Sequence, residues 1–183
     1  MSATVQLYTP RYAGAFRAIN LQWISAYFRV EDHDRQTLSD PCALVRSGGQ
    51  IFVALEAGAA PSPDPFASAS EAQVDTDDPT VLGVVALLRP CANGSALGFE
   101  FAKMGVREGL RGRGIGRLLG EAAVAYARSA GAELIDILSN RRLEAALALY
   151  KSLGFVEQPL PPNDYERADI YLVLQLQASP ASG

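Results

Sequence analysis

The chain has 183 residues, with 16 Lys and Arg against 20 Asp and Glu and a formal net charge of −4. This balance argues against a general nucleic-acid binder, because neutralising phosphates requires a basic face. With 49% hydrophobic and 20% charged residues, the composition is that of a globular domain whose core is large enough to fold alone, and it excludes wholesale disorder.

The sequence shows no sign of membrane insertion or of a metal site. No stretch reaches the ~20 apolar residues that a membrane helix needs, and the N-terminal region lacks the basic-then-apolar pattern of a signal peptide, so we expect a cytoplasmic protein. Cys42 and Cys91 are too few for a disulfide framework, and with His33 as the single histidine they form no set of metal ligands. Neither cysteine has a basic partner that would activate its thiol.

The first half of the chain predicts a strand, helices and a hairpin. Alternating apolar residues indicate a short strand at residues 4–8. Apolar residues at offsets of three and four indicate a helix over residues 16–27, and a shorter helical or turn-rich piece follows at 35–44. Two further strands are predicted at residues 50–56 and 81–88.

Residues 58–80, between those two strands, are rich in Ala, Pro, Ser and Asp. Such a segment buries too little apolar surface to offset the entropy of ordering it. We predict a mobile surface insertion in a hairpin, with a ligand-binding lid as the alternative. Neither side of the insertion has enough elements to close a sheet-based core, so we expect one domain over residues 1–177 and a frayed tail at 178–183.

The second half of the chain alternates strands and helices. The predicted elements cover residues 96–106, 115–129, 133–138, 143–150 and 168–177. Gly131 and Gly154 follow the two helices as stop signals. The strand–helix–strand order implies a parallel strand pair with a right-handed crossover inside a mixed sheet, covered by helices on both faces, so the predicted fold class is α/β.

A glycine-rich segment, Arg111-Gly-Arg-Gly-Ile-Gly-Arg117, lies between a predicted strand and a strongly amphipathic helix. Backbone N–H groups at a helix start are unpaired and lie at the positive end of the helix dipole, and glycines let an anion approach the main chain. Five cations against Glu108 give a local charge of +4, and they are Lys103, Arg107, Arg111, Arg113 and Arg117. The sequence therefore predicts a phosphate-binding site.

Three phosphate-binding patterns differ in spacing. A Walker loop fails, because Gly109 and Gly114 have the required interval but are followed by Ile115-Gly116 rather than by Lys and Ser or Thr. A dinucleotide fingerprint fails as well, because no glycine stands at its third position. The pattern Arg/Gln-x-x-Gly-x-Gly/Ala is satisfied at every position by Arg111, Gly114 and Gly116.

With this loop, the chain resembles the GNAT N-acetyltransferase superfamily. The resemblance extends over residues 99–155 and includes the run from Ala145 to Phe155, which looks like the family pattern Ala-x-x-Leu-Tyr-x-x-x-Gly-Phe. It implies a GNAT fold, in which a twisted mixed sheet has helices on both faces and a splayed parallel strand pair. It also implies acetyl-CoA as the cosubstrate, without a metal, with the pyrophosphate held by the glycine loop.

The resemblance also assigns residues to coenzyme binding. They are Met104, Gly105, Val106, Arg111, Gly112, Arg113, Gly114, Ile115, Gly116, Arg117, Asn140 and Tyr150. A free main-chain N–H near Val106 would hold the thioester oxygen. Gly105 suits a β-bulge, with close packing as the alternative, and Asn140 suits either the pantetheine arm or a helix N-cap.

Two residues match the family's acid–base positions. Glu100 is the candidate general base, and period two would place it on the face of Ala102 and Met104, opposite Lys103. Burial would raise its pKa, which helps a base, whereas a solvated or ion-paired carboxylate is the alternative. Tyr150 is the candidate general acid that reaches the coenzyme sulfur, and a packing role is its alternative.

Two charged segments, residues 31–34 and 165–169, would border the acceptor pocket in this fold. Glu31, Asp32 and Asp34, beside His33, would suit a cationic acceptor, although charged loops are often only solvated. We expect acetyl transfer to the primary amine of a small molecule by direct attack. A protein or peptide N-acetyltransferase and a non-catalytic acyl-CoA-binding module are the alternatives, and a homodimer is left open.

Overall fold

In the computed structural model of the chain, residues 2–58 and 77–176 are described, and their strands form one mixed sheet. The strands are β1 (Ala3–Leu7), β2 (Gln50–Glu56), β3 (Val81–Leu88), β4 (Gly98–Val106), β5 (Leu134–Ser139), β6 (Val156–Gln158) and β7 (Ile170–Gln175). Their order across the sheet is β1-β2-β3-β4-β5-β7-β6. Most of the predicted insertion at residues 58–80, namely 59–76, and the predicted tail at 178–183 lie outside the described residues.

Helices pack on both faces of this sheet. They are α1 (Ala13–Tyr27), preceded by a 3-10 turn at Pro10–Tyr12, then α2 (Asp32–Ser39), α3 (Pro41–Arg46), α4 (Ile115–Ser129) and α5 (Glu144–Ser152). One core cluster joins α4 and α5 to the sheet, and a second joins α1, α2 and α3 to its other face. The predicted mixed α/β sheet is confirmed. In the described ranges no helix has both the length and the apolar character needed to cross a membrane.

The apolar stripe predicted for α4 is the face that packs on the sheet. Leu119 and Ala123 are fully buried there, and Phe52 and Phe101 belong to the same cluster. Burying a leucine side chain contributes about 1.5–3 kcal/mol, so this stripe determines how α4 lies on the sheet. The position of the loop before α4 follows from that packing.

Residues 31–34 form the start of α2 rather than an irregular connection. The Glu31 side chain accepts a hydrogen bond from the backbone of the first helical turn, and the Glu31 N–H donates to Asp34 Oδ2 at 3.1 Å. This reciprocal capping box satisfies N–H groups that a helix start leaves unpaired. The polar run of residues 31–34, which interrupts the pattern of apolar residues, therefore starts a helix.

The parallel strands β4 and β5 pair over a short stretch and then separate. Gly98 lies opposite Leu134, and Glu100 lies opposite Asp136, after which no pairing between the two strands is present in the described residues. Both strands continue beyond this point. The sheet consequently opens along the C-terminal part of β4, as the resemblance predicts for a splayed strand pair.

A β-bulge lies within β4, at the opening. Val84 pairs with Gly105 and Ala86 pairs with Ala102, so β4 carries one residue more than β3 between these pairs. Lys103 adopts a positive φ of 52° there. The bulge reverses the alternation of side chains along β4, because each extra residue moves the following side chains to the opposite face.

Candidate active site

A cavity of about 510 Å³ occupies the opening between β4 and β5. On the α1 side it is lined by Trp23 and Tyr27, and on the α4 and α5 side by Gly116, Leu149 and Tyr150. The cavity therefore passes through the sheet from one helical layer to the other. Such a passage can hold an elongated ligand whose two ends meet different chemical surroundings.

The loop before α4 has the geometry of an anion site. Gly112 and Gly114 have φ of 77° and 83°, and a Cβ atom at either position would meet nothing within 4 Å. Gly114 is the N-cap of α4, whose first N–H groups have no acceptor within the helix. The exposed Arg111 and Arg113 lie in the same loop. The open space, the free N–H groups and the cations fit a pyrophosphate.

Two of the five cations counted in the sequence do not serve this site. Lys103 is 5% exposed, and its ammonium is 2.7 Å from the carboxylate of Asp34 on α2. Arg107 donates to Val81 O and to the Asp77 carboxylate, so its charge is neutralised. The local charge of +4 counted in the sequence therefore does not all act at the loop, because Lys103 and Arg107 are paired elsewhere.

Gly116 has a packing role rather than an open approach to phosphate. A Cβ atom there would lie 3.2 Å from Met104 Cε and 3.3 Å from Leu149 Cδ2. Gly116 therefore lets the first turn of α4 lie close to β4 and α5. Ile115, the first residue of that helix, is 4% exposed and packs in the same core.

The backbone of β4 offers a free donor toward the opening. Arg107 N–H donates to Leu82 O at 3.0 Å, on the β3 side. Because N–H groups of successive strand residues point to opposite edges, the Val106 N–H is directed toward the edge that β5 has left. This orientation matches the predicted donor to a thioester oxygen.

Gly105 permits close packing and is not the bulge residue. Its Cβ would lie 2.7 Å from Ile19 Cγ2 and 3.0 Å from Trp23 Cδ1, so only glycine lets α1 approach β4 this closely. The distortion lies at Lys103, two residues earlier. The prediction of a bulge at Gly105 is wrong, and the alternative of close packing is confirmed.

Glu100 lies buried at the point where the strands separate, with 8% of its surface exposed. Burial and, to a lesser degree, the like charge of Asp136 raise its pKa to about 7, against the opposing effect of Lys103. The alternative of a solvated strand-end carboxylate is therefore wrong. A buried carboxyl with a pKa near neutrality lines the cavity.

The side-chain faces predicted for β4 are wrong beyond Ala102. Met104 lies against Gly116 of α4, on the opposite face from Glu100, whereas Lys103 contacts α2 and interacts electrostatically with Glu100. The bulge explains both differences, because it interrupts the alternation on which the prediction depends. Met104 and Lys103 both line the cavity, from different sides.

Asp136 is a buried carboxylate that the sequence reasoning missed. It accepts hydrogen bonds from the N–H groups of Ala92 and Asn93 at 3.1 and 3.0 Å and from the hydroxyl of Tyr171 at 2.9 Å. Burial raises its pKa, and these donors oppose that effect. A lone acidic residue within the apolar strand Leu-Ile-Asp-Ile-Leu was the available signal, since buried carboxylates require partners.

Tyr150 both packs in the core and lines the cavity. Its ring meets Phe101 edge-on, with centroids 5.7 Å apart, and also contacts Phe155. Burial raises the pKa of its hydroxyl well above the ordinary value. Within the described residues this hydroxyl has no hydrogen-bond partner, so a protonated phenol is available to a ligand in the cavity.

Asn140 lies on the cavity wall, and its side chain is already engaged. The amide donates to Arg167 O at 2.6 Å and accepts from Arg142 N–H at 2.9 Å. The N-cap of α5 is Leu143, so the helix-cap alternative is wrong. Coenzyme binding by Asn140 stays a prediction.

The carboxylates expected to receive a cationic acceptor are occupied within the protein. Asp34 accepts hydrogen bonds from Lys103 at 2.7 Å and from both terminal nitrogens of Arg167 at 2.6 and 2.8 Å. Burial alone would raise the pKa of Asp34, but these donors hold it far below its ordinary value. Glu31 accepts from Arg167 N–H, and Asp32 is exposed beside Arg35. The expectation of acidic groups facing the acceptor is therefore wrong for this segment.

The segment before β7 does reach the cavity, where its lining residues are Tyr165, Arg167 and Ala168. Lys103 donates to the Tyr165 hydroxyl at 3.0 Å. His33 meets the Tyr165 ring edge-on and does not line the cavity, and burial lowers its pKa. No pattern in the sequence predicts that Lys103 and Tyr165 come into contact, because the two residues lie far apart in the chain.

Neither cysteine lines the cavity, and burial raises the pKa of the Cys91 thiol. In residues 2–58 and 77–176, no group of three or more His, Cys, Asp or Glu side chains is arranged to hold a metal ion.

Residues 71–157, just under half of the chain, match the family model described as an acetyltransferase (GNAT) domain. The GNAT-family acetyltransferase from Staphylococcus aureus Mu50 has 17% identity and a TM-score of 0.74, covering 96% of this chain and 100% of that one. The yncA protein from Salmonella typhimurium, solved with its cofactor acetyl-CoA, has 18% identity and a TM-score of 0.69, covering 99% and 98%.

An acetyltransferase from Bacillus subtilis, solved with CoA, has 19% identity and a TM-score of 0.61, and the match covers 96% of this chain and 99% of that one. The comparison with curated proteins finds no match. Residues 71–157 match the GNAT acetyltransferase domain model, and the chain shares the fold of these acetyltransferase structures, which confirms the predicted resemblance.

Proposed function

We propose that the protein is an acetyl-CoA-dependent N-acetyltransferase that acetylates the primary amine of a small molecule by direct attack. The observation that carries this proposal is a single cavity lined by the start of α4, by Glu100 and by Tyr150. When bound, acetyl-CoA supplies the acetyl group as a reactive thioester.

In this proposal the loop before α4 binds the pyrophosphate. The N–H groups from Gly112 to Ile115 and the guanidinium groups of Arg111, Arg113 and Arg117 would hold its charge. The Val106 N–H would donate to the thioester oxygen, where negative charge develops during attack. The open space beside Gly112 and Gly114 supports this arrangement, because side chains at those positions would occupy the volume of the ligand.

Glu100 and Tyr150 handle the two protons of the reaction. Glu100 accepts the proton that the amine loses as the C–N bond forms, and a pKa near 7 makes it a stronger base than an ordinary carboxylate. Tyr150 donates a proton to the sulfur as the C–S bond breaks. The raised pKa of Tyr150 keeps its hydroxyl protonated at neutral pH, as a general acid requires.

An acceptor screen tests the proposal. The protein is incubated with acetyl-CoA and, separately, with amines, amino acids, polyamines and peptides, and free thiol release is measured together with the mass of the product. Thiol release with an N-acetylated small molecule supports the proposal. Acetylation of peptides alone would assign a protein acceptor instead, and binding of acetyl-CoA without any thiol release would identify a non-catalytic binding module.

A further inference from the structure

The acceptor side of the cavity, on the α1 face of the sheet, combines aromatic walls with cations. Its rings come from Trp23, Tyr27, Phe28 and Tyr165. The cationic side chains that line this part are Lys103, Arg142 and Arg167. Which of these charges acts on a ligand depends on which of them the protein has already neutralised.

Lys103 and Arg167 are neutralised by partners inside the fold. Asp34 binds both of them, and Glu31 lies 3.3 Å from the Arg167 guanidinium. Two cations therefore meet two carboxylates in a buried and balanced cluster. Such a cluster presents no net charge to an acceptor, and its carboxylates have no lone pairs to spare for an ammonium group.

Of the three cations on the acceptor side, Arg142 has no carboxylate partner among the described residues. Its Nη1 donates to Tyr27 O at 3.3 Å, and its guanidinium lies 5.7 Å from the centre of the Phe28 ring. These contacts hold the side chain against the aromatic wall and leave most of its N–H groups free. A guanidinium with free, coplanar N–H groups is suited to bidentate binding of a carboxylate.

The acidic groups on the lining do not cancel this positive charge. Glu100 is buried beside Asp136, which keeps a fraction of it protonated at neutral pH. Glu144 is exposed in the first turn of α5, where the helix N-terminus balances a negative charge. The electrostatic preference of the acceptor side is therefore for an anionic group.

We propose that the acceptor is an amine that also carries a carboxylate and an apolar or aromatic group, that is, an amino acid of this kind, and that Arg142 binds its carboxylate. This inference rests on the proposed function for the identity of the reaction. It reverses the charge that residues 31–34 suggested from the sequence. The aromatic rings contact the apolar group, and the amine is directed toward Glu100.

Matched acceptors test the inference. Phenylalanine, phenylalanine amide and phenethylamine share a ring and a primary amine and differ in the carboxylate. We expect kcat/KM to be about tenfold or more higher for phenylalanine than for the other two, as charge-assisted hydrogen bonds typically give. In Arg142→Gln this preference should disappear through a raised KM for phenylalanine, with phenethylamine unchanged.

Arg141→Gln is the matched control, because Arg141 is the neighbouring arginine, pairs with Glu157 on the surface and does not line the cavity. It should retain the parent preference. Equal kcat/KM for the three acceptors in the parent, or an equal loss for all of them in Arg142→Gln, would overturn the inference.

A binding measurement separates this inference from the proposed function. Calorimetry with coenzyme A present compares N-acetylphenylalanine with N-acetylphenethylamine, and needs no turnover. Tighter binding of N-acetylphenylalanine that is lost in Arg142→Gln supports the inference, whether or not the protein releases thiol. Absence of thiol release with every amine would refute only the proposed function. Thiol release without a carboxylate preference in rate or binding would refute only the inference.

Discussion

Proton transfer at the opening of the sheet depends on a few buried side chains. Glu100 and Asp136 lie opposite each other at the last paired position of β4 and β5. Burial makes both carboxyl groups harder to ionise, and the negative charge of Asp136 adds to this effect at Glu100. Tyr150 lies on the other helical layer with a hydroxyl that stays protonated. The three groups therefore differ in acidity although all are buried.

Glu100→Gln tests the base directly. The pKa of Glu100 is about 7, so in the parent kcat/KM should fall as pH decreases below about 7, because the base becomes protonated. The variant should lose rate at neutral pH and recover in part at alkaline pH, where more of the amine is already deprotonated. Matching pH profiles of kcat/KM in parent and variant would mean that Glu100 takes no part in proton transfer.

Asp136→Asn tests the origin of the raised pKa. Removing the like charge should lower the pKa of Glu100 and move the acidic limb of the pH–rate profile to lower pH. The shift should be partial, because burial is the larger cause and remains. The profile is measured on protein whose unfolding transition shows a folded state. An acidic limb that stays in place or moves to higher pH contradicts this assignment.

Tyr150→Phe should lower kcat by about 10²–10⁴-fold, the usual contribution of a general acid or base, while leaving the coenzyme Kd nearly unchanged. The ring contacts with Phe101 and Phe155 remain in this variant. Thiol release under saturating substrates and coenzyme binding by calorimetry provide the two values. Parent-like kcat would leave Tyr150 with a packing role alone.

At the scale of elements, the start of α4 is the anion site, and its geometry depends on backbone conformation. Gly112 and Gly114 adopt positive φ with open space around them, whereas Gly116 packs on Met104. The three glycines of this motif therefore have two roles: Gly112 and Gly114 shape the anion site, and Gly116 allows close packing. Side chains at Gly112 or Gly114 would strain the loop and enter the space left for a phosphate.

Gly114→Ala should weaken coenzyme binding by about tenfold or more, since it strains the loop at φ 83° and crowds the anion site. Gly131→Ala is the matched control, because Gly131 follows the other end of α4 with φ 72° and open space around it. Both variants should lose a similar amount of stability. The coenzyme Kd, measured by calorimetry, should change only in Gly114→Ala, and equal affinities would contradict the assignment.

At the scale of the whole molecule, one buried ion cluster joins three distant parts of the chain. Asp34 on α2 binds Lys103 of the β4 bulge and Arg167 before β7. These contacts close the acceptor side of the cavity and hold the bulge in place. The cluster therefore links the stability of the fold to the geometry of the site.

Asp34→Asn should reduce the free energy of unfolding by about 3–5 kcal/mol at pH 7, because it leaves the buried Lys103 without a carboxylate and Arg167 with Glu31 alone. The folded pKa of Asp34 lies below its unfolded value, so this stabilisation is present above about pH 4 and is lost as pH falls. Asp32→Asn, whose side chain is 95% exposed beside Arg35, should cost less than about 1 kcal/mol. Urea unfolding of both variants gives the comparison, and similar losses would contradict the buried role of Asp34.

The sequence by itself was sufficient for features that depend on neighbouring residues. The stripe of α4 and the glycine loop involve residues a few positions apart, and helical geometry brings such residues together in any fold. The candidates Glu100 and Tyr150 came from the family resemblance, and their catalytic roles stay predictions. The mixed sheet with one parallel pair followed from the order of the elements and the handedness of the crossover.

The tertiary structure alone decided the charge of the acceptor side and the faces of β4. Lys103 is 69 positions from Asp34, and Arg167 is 133 positions from it. No local pattern encodes which distant cation a carboxylate will bind, because this choice depends on where the packed helices and strands place both groups. The bulge in β4 likewise arises from pairing with β3, which inserts one residue and reverses every side chain that follows.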